Sequence, residues 1–145
     1  MSLAKDLILF SSEFTLIIRQ TKTMKILIID ATREKILLGL ILNKNIYTGT
    51  YINSKKNYDK LIIIIKKFLL KNKTNLEKIK QIYVNRGPGS YAGIRNSLSI
   101  VKAFNIARKI DYYCYSLDDF KDGENISYEN IPDLCDKFKI KKNLI

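Results

Sequence analysis

The stretch Tyr83-Val84-Asn85-Arg86-Gly87-Pro88-Gly89-Ser90-Tyr91-Ala92-Gly93-Ile94-Arg95 constrains the fold more than any other part of the chain. The apolar run from Ile79 to Val84 predicts a buried strand, Gly-Pro-Gly predicts a turn, and Ser90 stands where a helix N-cap belongs. A strand, a tight loop and a helix start follow from these residues. Such a loop can present backbone N–H groups to an anion at the positive end of a helix, or let two backbones approach closely. Three glycines in seven residues are costly for a plain connection, because glycine is loose in the unfolded chain and packs little.

The rest of the chain supplies the strands and helices that this loop would join. Ile26-Leu27-Ile28-Ile29 is uniformly apolar and predicts a central strand covered on both faces, ending on Asp30. Ile36 to Leu42 and Ile46 to Ile52 flank Asn43-Lys44-Asn45, a hairpin signature. Tyr58 to Leu70 has helical length, with Tyr58, Leu61, Ile62, Ile65, Phe68 and Leu69 on one broad face and Ile63 and Leu70 opposite. Leu76 to Val84 predicts the fourth strand. The second helix is expected from about Ser90 to Lys109. Its Ile94, Leu98 and Val101 suit the sheet, while Asn96, Ile100, Ala103, Ala107 and Ile110 form a second stripe with small residues that admit a close helix. A helix apolar on two sides predicts a partner. Tyr112 to Tyr115 predicts a fifth strand, and Ser116 caps a short turn through Phe120.

Three segments follow. Residues 1–23 carry two short apolar runs interrupted by Glu13, too short to span a bilayer and without a secretory cleavage pattern, and are expected to lie outside the fold. Residues 24–120 form the lobe. Residues 121–145 contain Pro132 and scattered apolar residues, and are expected to be a loosely attached tail.

Composition narrows the chemistry. The chain has two cysteines and no histidine, so zinc held by Cys/His and every histidine general base are excluded. Two cysteines without C-x-x-C spacing are expected to be reduced thiols of a cytoplasmic protein. The formal net charge of +12 invites a nucleic-acid reading. However, 21 of the 26 basic residues are lysine, and arginine is favoured where bidentate phosphate recognition is needed. Direct RNA contact therefore stands only as a supplement. A ribonuclease-H-like nuclease needs carboxylates converging on two metal ions. Asp30 has no companion at a matching strand end, since Glu34 lies in a turn and Asp111 follows a helix.

The order strand, strand, strand, helix, strand, helix, strand is that of a ribonuclease-H-like lobe of the actin/Hsp70/sugar-kinase (ASKHA) fold, an α/β lobe with a mixed five-stranded sheet. With its first strand and the loop Gly87, Pro88, Gly89, Ser90, Gly93, Ile94 and Arg95, the chain resembles the TsaB (YeaZ) family, whose loop reads Gly-Pro-Gly-Ser-Phe-Thr-Gly-(Val/Leu/Ile)-Arg. Tyr91 and Ala92 stand in place of Phe-Thr, and Asp30-Ala31-Thr32 in place of Asp-Thr-Ser or Asp-Thr-Ala. The resemblance implies a non-catalytic scaffold in the formation of N6-threonylcarbamoyladenosine (t6A) in tRNA. Its implied partners are a TsaD-like protein and a TsaE-like ATPase, with tRNA reached indirectly and a homodimer as the alternative pairing. It implies no metal and no resident cofactor; nucleotide at a subunit interface is the one ligand left open. The family pairs through the two helices of this lobe, which assigns Ile63, Leu70, Asn96, Ile100, Ala103 and Ala107 to the partner surface. The family's second lobe has no counterpart here, so a shortened, single-lobe form is expected, with a decayed copy, or a nucleotide-binding or nuclease domain, as alternatives.

Overall fold

The computed structural model describes residues 25–145; the expected extension over 1–23 lies outside the described residues. Five strands form one mixed sheet: β1 (Lys25–Asp30), β2 (Lys35–Leu42), β3 (Asn45–Ile52), β4 (Gln81–Asn85) and β5 (Asp111–Tyr115), in the spatial order β3-β2-β1-β4-β5. The first three are an antiparallel meander, Lys25 opposite Leu42 and Lys35 opposite Ile52, with Asn43 at φ 59° in the hairpin turn. Asparagine tolerates that left-handed conformation better than most residues. β4 and β5 then add parallel to β1, each after a crossover helix, as a parallel neighbour requires.

Helix α1 (Leu61–Lys71) and helix α2 (Tyr91–Arg108) cover one face of the sheet. α1 buries Leu61, Ile65, Phe68 and Leu69. The predicted helix from Tyr58 is interrupted: a single helical turn, Lys55–Tyr58, precedes α1, and Asp59 and Lys60 separate the two. Ile62, assigned to the buried face, is exposed. The predicted strand from Leu76 also starts later. Asn75 accepts a hydrogen bond from the Lys78 backbone N–H at 3.3 Å and caps a 3-10 turn over Leu76–Lys78; the asparagine cap wins over the apolar run.

α2 ends on Lys109, left-handed at φ 56°. Its sheet face is Gly93, Ser97, Val101 and Phe104, one helical stripe at i, i+4, i+8 and i+11. The predicted sheet stripe shares only Val101 with it; Ile94 and Leu98 flank it half-buried. Ile110, read as part of the outer stripe, lies past the helix end and is buried in the core.

The other face of the sheet is covered by residues expected to form a loose tail. Helix α3 (Ile131–Lys137) buries Ile131, Leu134 and Cys135 against Ile26, Ile28, Tyr83 and Tyr115. Pro132 sits in its first turn, where the missing N–H costs nothing. The chain then turns back, Ile140 N–H bonding to Cys135 O, and ends on the β5 edge. There Asn143 N–H donates to Tyr112 O at 2.7 Å, while Asn143 Oδ1 accepts from Tyr112 N–H at 3.0 Å. The uniformly apolar β1 is thereby dry on both sides, as its sequence requires.

Candidate functional site

The carboxyl ends of β1, β4 and β5 and the glycine loop meet at one end of the sheet. Asp30 closes β1 and is buried. Its Oδ1 accepts from the Thr32 backbone N–H at 3.0 Å and from Thr32 Oγ1–H at 2.6 Å; its Oδ2 accepts from Asn85 Nδ2 at 3.1 Å. Asn85 closes β4 at 1 % exposure, and its Oδ1 accepts from the Gly87 N–H at 2.9 Å. Gly87 O in turn accepts from Ser116 Oγ–H at 2.8 Å at the end of β5. One chain of hydrogen bonds therefore runs from β1 through β4 and the loop to β5. Asp30 is bound into this knot through both oxygens, a structural role that a bare strand-end carboxylate does not announce. Among the described residues no group of three His, Cys, Asp or Glu is arranged to hold a metal ion.

The loop is shaped by close approach. Gly87 sits at φ 124°, followed by the cis Gly87-Pro88 peptide. A Cβ on Gly89 would collide with the Thr32 carbonyl and stand 2.7 Å from Thr32 Cβ, and one on Gly93 would collide with the Ala31 carbonyl. Ser90 ties the helix start down. Its N–H donates to Thr32 O at 2.7 Å, and its Oγ accepts from Gly93 N–H at 3.3 Å. Asn53, just after β3, donates to Ala31 O at 3.0 Å and to Arg33 O. Arg86 lies beside the loop, its N–H bonded to Tyr115 O at 2.8 Å and its guanidinium on both oxygens of Asp119 at 2.9 and 3.0 Å. Arg95 is exposed on α2.

A cleft of about 360 Å³ opens next to Asp30, lined by Arg33, Leu37, Tyr115, Leu117, Tyr128 and Ile131. It lies beyond the carboxyl ends of the strands, where open α/β sheets bind ligands. Burial, then the nearby charge of Asp30, pushes the Tyr128 phenol up to about 12 and raises Tyr115 well above its ordinary value. Both are hydroxyl donors at neutral pH.

The residues assigned to a partner divide. Ile63 and Leu70 on α1 are exposed, at 50 % and 74 %, and Ala103 and Ala107 on α2 are exposed. Asn96 is half-buried, and Ile100 packs half-buried against the core. The sequence reading missed Ile106, 74 % exposed one turn from Ala103; its i+3 spacing from Ala103 could have revealed it. It also passed over Asn85, Asn53 and Thr32, single polar residues beside apolar runs, whose partners lie far along the chain.

The family model described as TsaD, tRNA N6-adenosine threonylcarbamoyltransferase, matches residues 50–116. The tRNA threonylcarbamoyladenosine biosynthesis protein TsaB of Buchnera aphidicola subsp. Schizaphis graminum (strain Sg) is 28 % identical over 88 residues, 61 % of this chain and 42 % of the relative. Among solved structures, YeaZ from Pseudomonas aeruginosa superposes with a TM-score of 0.60 at 18 % identity, covering 65 % of this chain and 44 % of that one. A second structure, of an uncharacterized protein with similarity to peptidase YEAZ from the same organism, gives the same values. The chain thus spans about two-fifths of the length of the curated relative it matches.

The strand order, the crossover helices and the glycine loop clamped over the end of β1 define a ribonuclease-H-like lobe of the ASKHA class. The curated relative and the solved structures named above make the chain similar to TsaB/YeaZ proteins over part of their length.

Proposed function

We propose that this chain is a scaffold subunit in t6A formation that makes no bond itself and pairs with a TsaD-like protein through α1 and α2. The observation that carries the reading is the outer surface of these helices. Ile63, Leu70, Ala103, Ile106 and Ala107 stay exposed on α1 and α2. Helix α3 is committed to the opposite face of the sheet. Small residues on α2 suit the close approach of another helix. The non-catalytic part of the proposal draws support from the site: Asp30 is engaged through both oxygens, and the chain has no histidine. A TsaE-like ATPase would join the pair, and substrate tRNA would reach the chain through the complex.

The test is co-expression of the full chain with a TsaD-like protein from the same organism, followed by sizing of the purified mixture. A stoichiometric complex supports the proposal. Separate elution of the two folded proteins defeats it, as does Mg-dependent ATP hydrolysis by the lone chain that Asp30→Ala abolishes.

A further inference from the structure

The fold separates charge along the strand direction. The end opposite the glycine loop gathers the starts of β1, β4 and β5, the β2–β3 turn and the carboxyl ends of α1 and α2. Lys80 N–H donates to Lys25 O at 3.0 Å, which ties the start of β4 to the start of β1. The turn brings Lys44 to this end, the α1-to-β4 connection brings Lys71, Lys73, Lys78 and Lys80, and the end of α2 brings Arg108 and Lys109; all of these are exposed. Its acids are Glu77 and Asp111, already facing Arg108 at 3.5 Å and Lys142 at 3.6 Å. At the loop end, by contrast, Glu34, Asp59, Asp118, Asp119, Asp122 and Glu124 offset most of the charge of Arg33, Lys35, Lys56, Lys60, Arg86, Arg95 and Lys121. A lysine-rich composition spread evenly over the surface would not produce this asymmetry.

Two of these lysines also stand where lysine is unfavourable. Lys73 (φ 59°) and Lys109 (φ 56°) hold the left-handed positions that end α1 and α2, as Lys139 (φ 56°) does after α3, positions that glycine fills at lower cost. Helix-dipole complementarity accounts for Lys71 and Arg108 in the last turns. It does not account for Lys44, Lys78 or Lys80, nor for lysine in place of glycine.

We infer that this end of the molecule binds the phosphate backbone of a folded RNA. Lysine is well suited to such contacts, since an ammonium on a flexible stem neutralises phosphates without a fixed bidentate geometry, giving affinity without sequence readout. An acidic protein partner is disfavoured, because the connection over 71–80 and the pair Arg108 and Lys109 expose only charged or amide side chains, without the aromatic anchors that carry protein–protein affinity. The inference rests on charge placement and not on pairing with TsaD, so the lone full chain tests it, and its failure would leave the pairing proposal standing.

The experiment measures fluorescence anisotropy of the full chain with a labelled tRNA transcript and with an RNA hairpin of unrelated sequence, from low to moderate salt. Micromolar binding of both RNAs is expected, alike within about threefold, with affinity falling steeply as salt rises. The double variant Lys73→Gly/Lys109→Gly should fold at least as well as the parent. It should weaken binding roughly tenfold at low salt and reduce the salt slope by about two. Lys35→Gln/Lys121→Gln, which removes equal charge at the loop end, should change neither. Equal losses in both variants would overturn the inference, as would no RNA binding, or a polyglutamate peptide bound as tightly as RNA.

Discussion

Replacing Gly93 by alanine should destabilise the protein although the position is helical. In an open helix interior the exchange gains about 1 kcal/mol, because alanine loses less backbone freedom on folding. Here the added Cβ would run into the Ala31 carbonyl at the end of β1, with Asn53 Nδ2 at 3.2 Å behind it. The obstacle is backbone, so relief requires moving α2 off the sheet or displacing the carbonyl that accepts the 3.0 Å bond from Asn53. Overpacking of this kind costs ~1–3 kcal/mol, and the loosened hydrogen bond adds about 1 kcal/mol. The net expectation is a loss of about 2 kcal/mol, which for a chain of this size lowers Tm by roughly 6–8 °C. Gly87→Ala should cost only about 1 kcal/mol, since its φ of 124° is unfavourable but the nearest obstacle is the movable Cδ1 of Ile94 at 3.3 Å. Thermal melts followed by circular dichroism check both. An unchanged or raised Tm for Gly93→Ala would refute the close approach of α2 to β1, and with it the reading of the loop as a shaped joint.

Asp30→Ala should lower stability by about 3 kcal/mol, because it strands the buried donors of Thr32 and Asn85; a urea midpoint within error of the parent would contradict the structural role. Cys114 and Cys135 are buried, and burial pushes their thiols up to about 11 and about 12. Their thiolate fractions at pH 8 are therefore on the order of 0.1 % and 0.01 %, and neither should react with a thiol reagent until the protein unfolds. The same shifts set a pH dependence: the folded values lie above the unfolded ones, so stability is intact below about pH 9 and falls as pH rises toward 11 to 12, which denaturant midpoints at pH 8 and 10.5 should register. Truncation after Phe120 should give an insoluble or unfolded product, because it uncovers Ile26, Ile28, Tyr83 and Tyr115; a soluble, cooperative product would show that α3 is dispensable.

The glycine loop and the first strand were legible because their signals are local. In a strand, four consecutive apolar residues place two on each face and so call for cover on both sides, and Gly-Pro-Gly followed by serine has few other conformations. What escaped depends on partners distant in sequence. Nothing near Asp30 announces that Asn85 will meet it, and a single amide such as Asn53 carries no periodicity. Helix α3 was illegible for a different reason: seven residues give too few turns for a stripe to emerge, and Pro132 reads as a breaker unless it is known to occupy the first turn. The sheet stripe of α2 was misplaced because Gly93 and Ser97 are buried through small size, whereas a hydrophobic pattern weights large residues such as Ile94 and Leu98.

A partner surface on α1 and α2 can be put to the test by titration calorimetry of the full chain against a TsaD-like protein, with Ala103→Glu measured beside the parent. Ala103 is exposed, so the variant should keep its circular dichroism spectrum and Tm. In a complex the carboxylate would be desolvated without a counter-charge, which costs roughly 2–4 kcal/mol and weakens binding about 30-fold to 1,000-fold. Parent binding with folded, non-binding Ala103→Glu is the expected result; undiminished binding by the variant, or its unfolding, would contradict pairing through these helices.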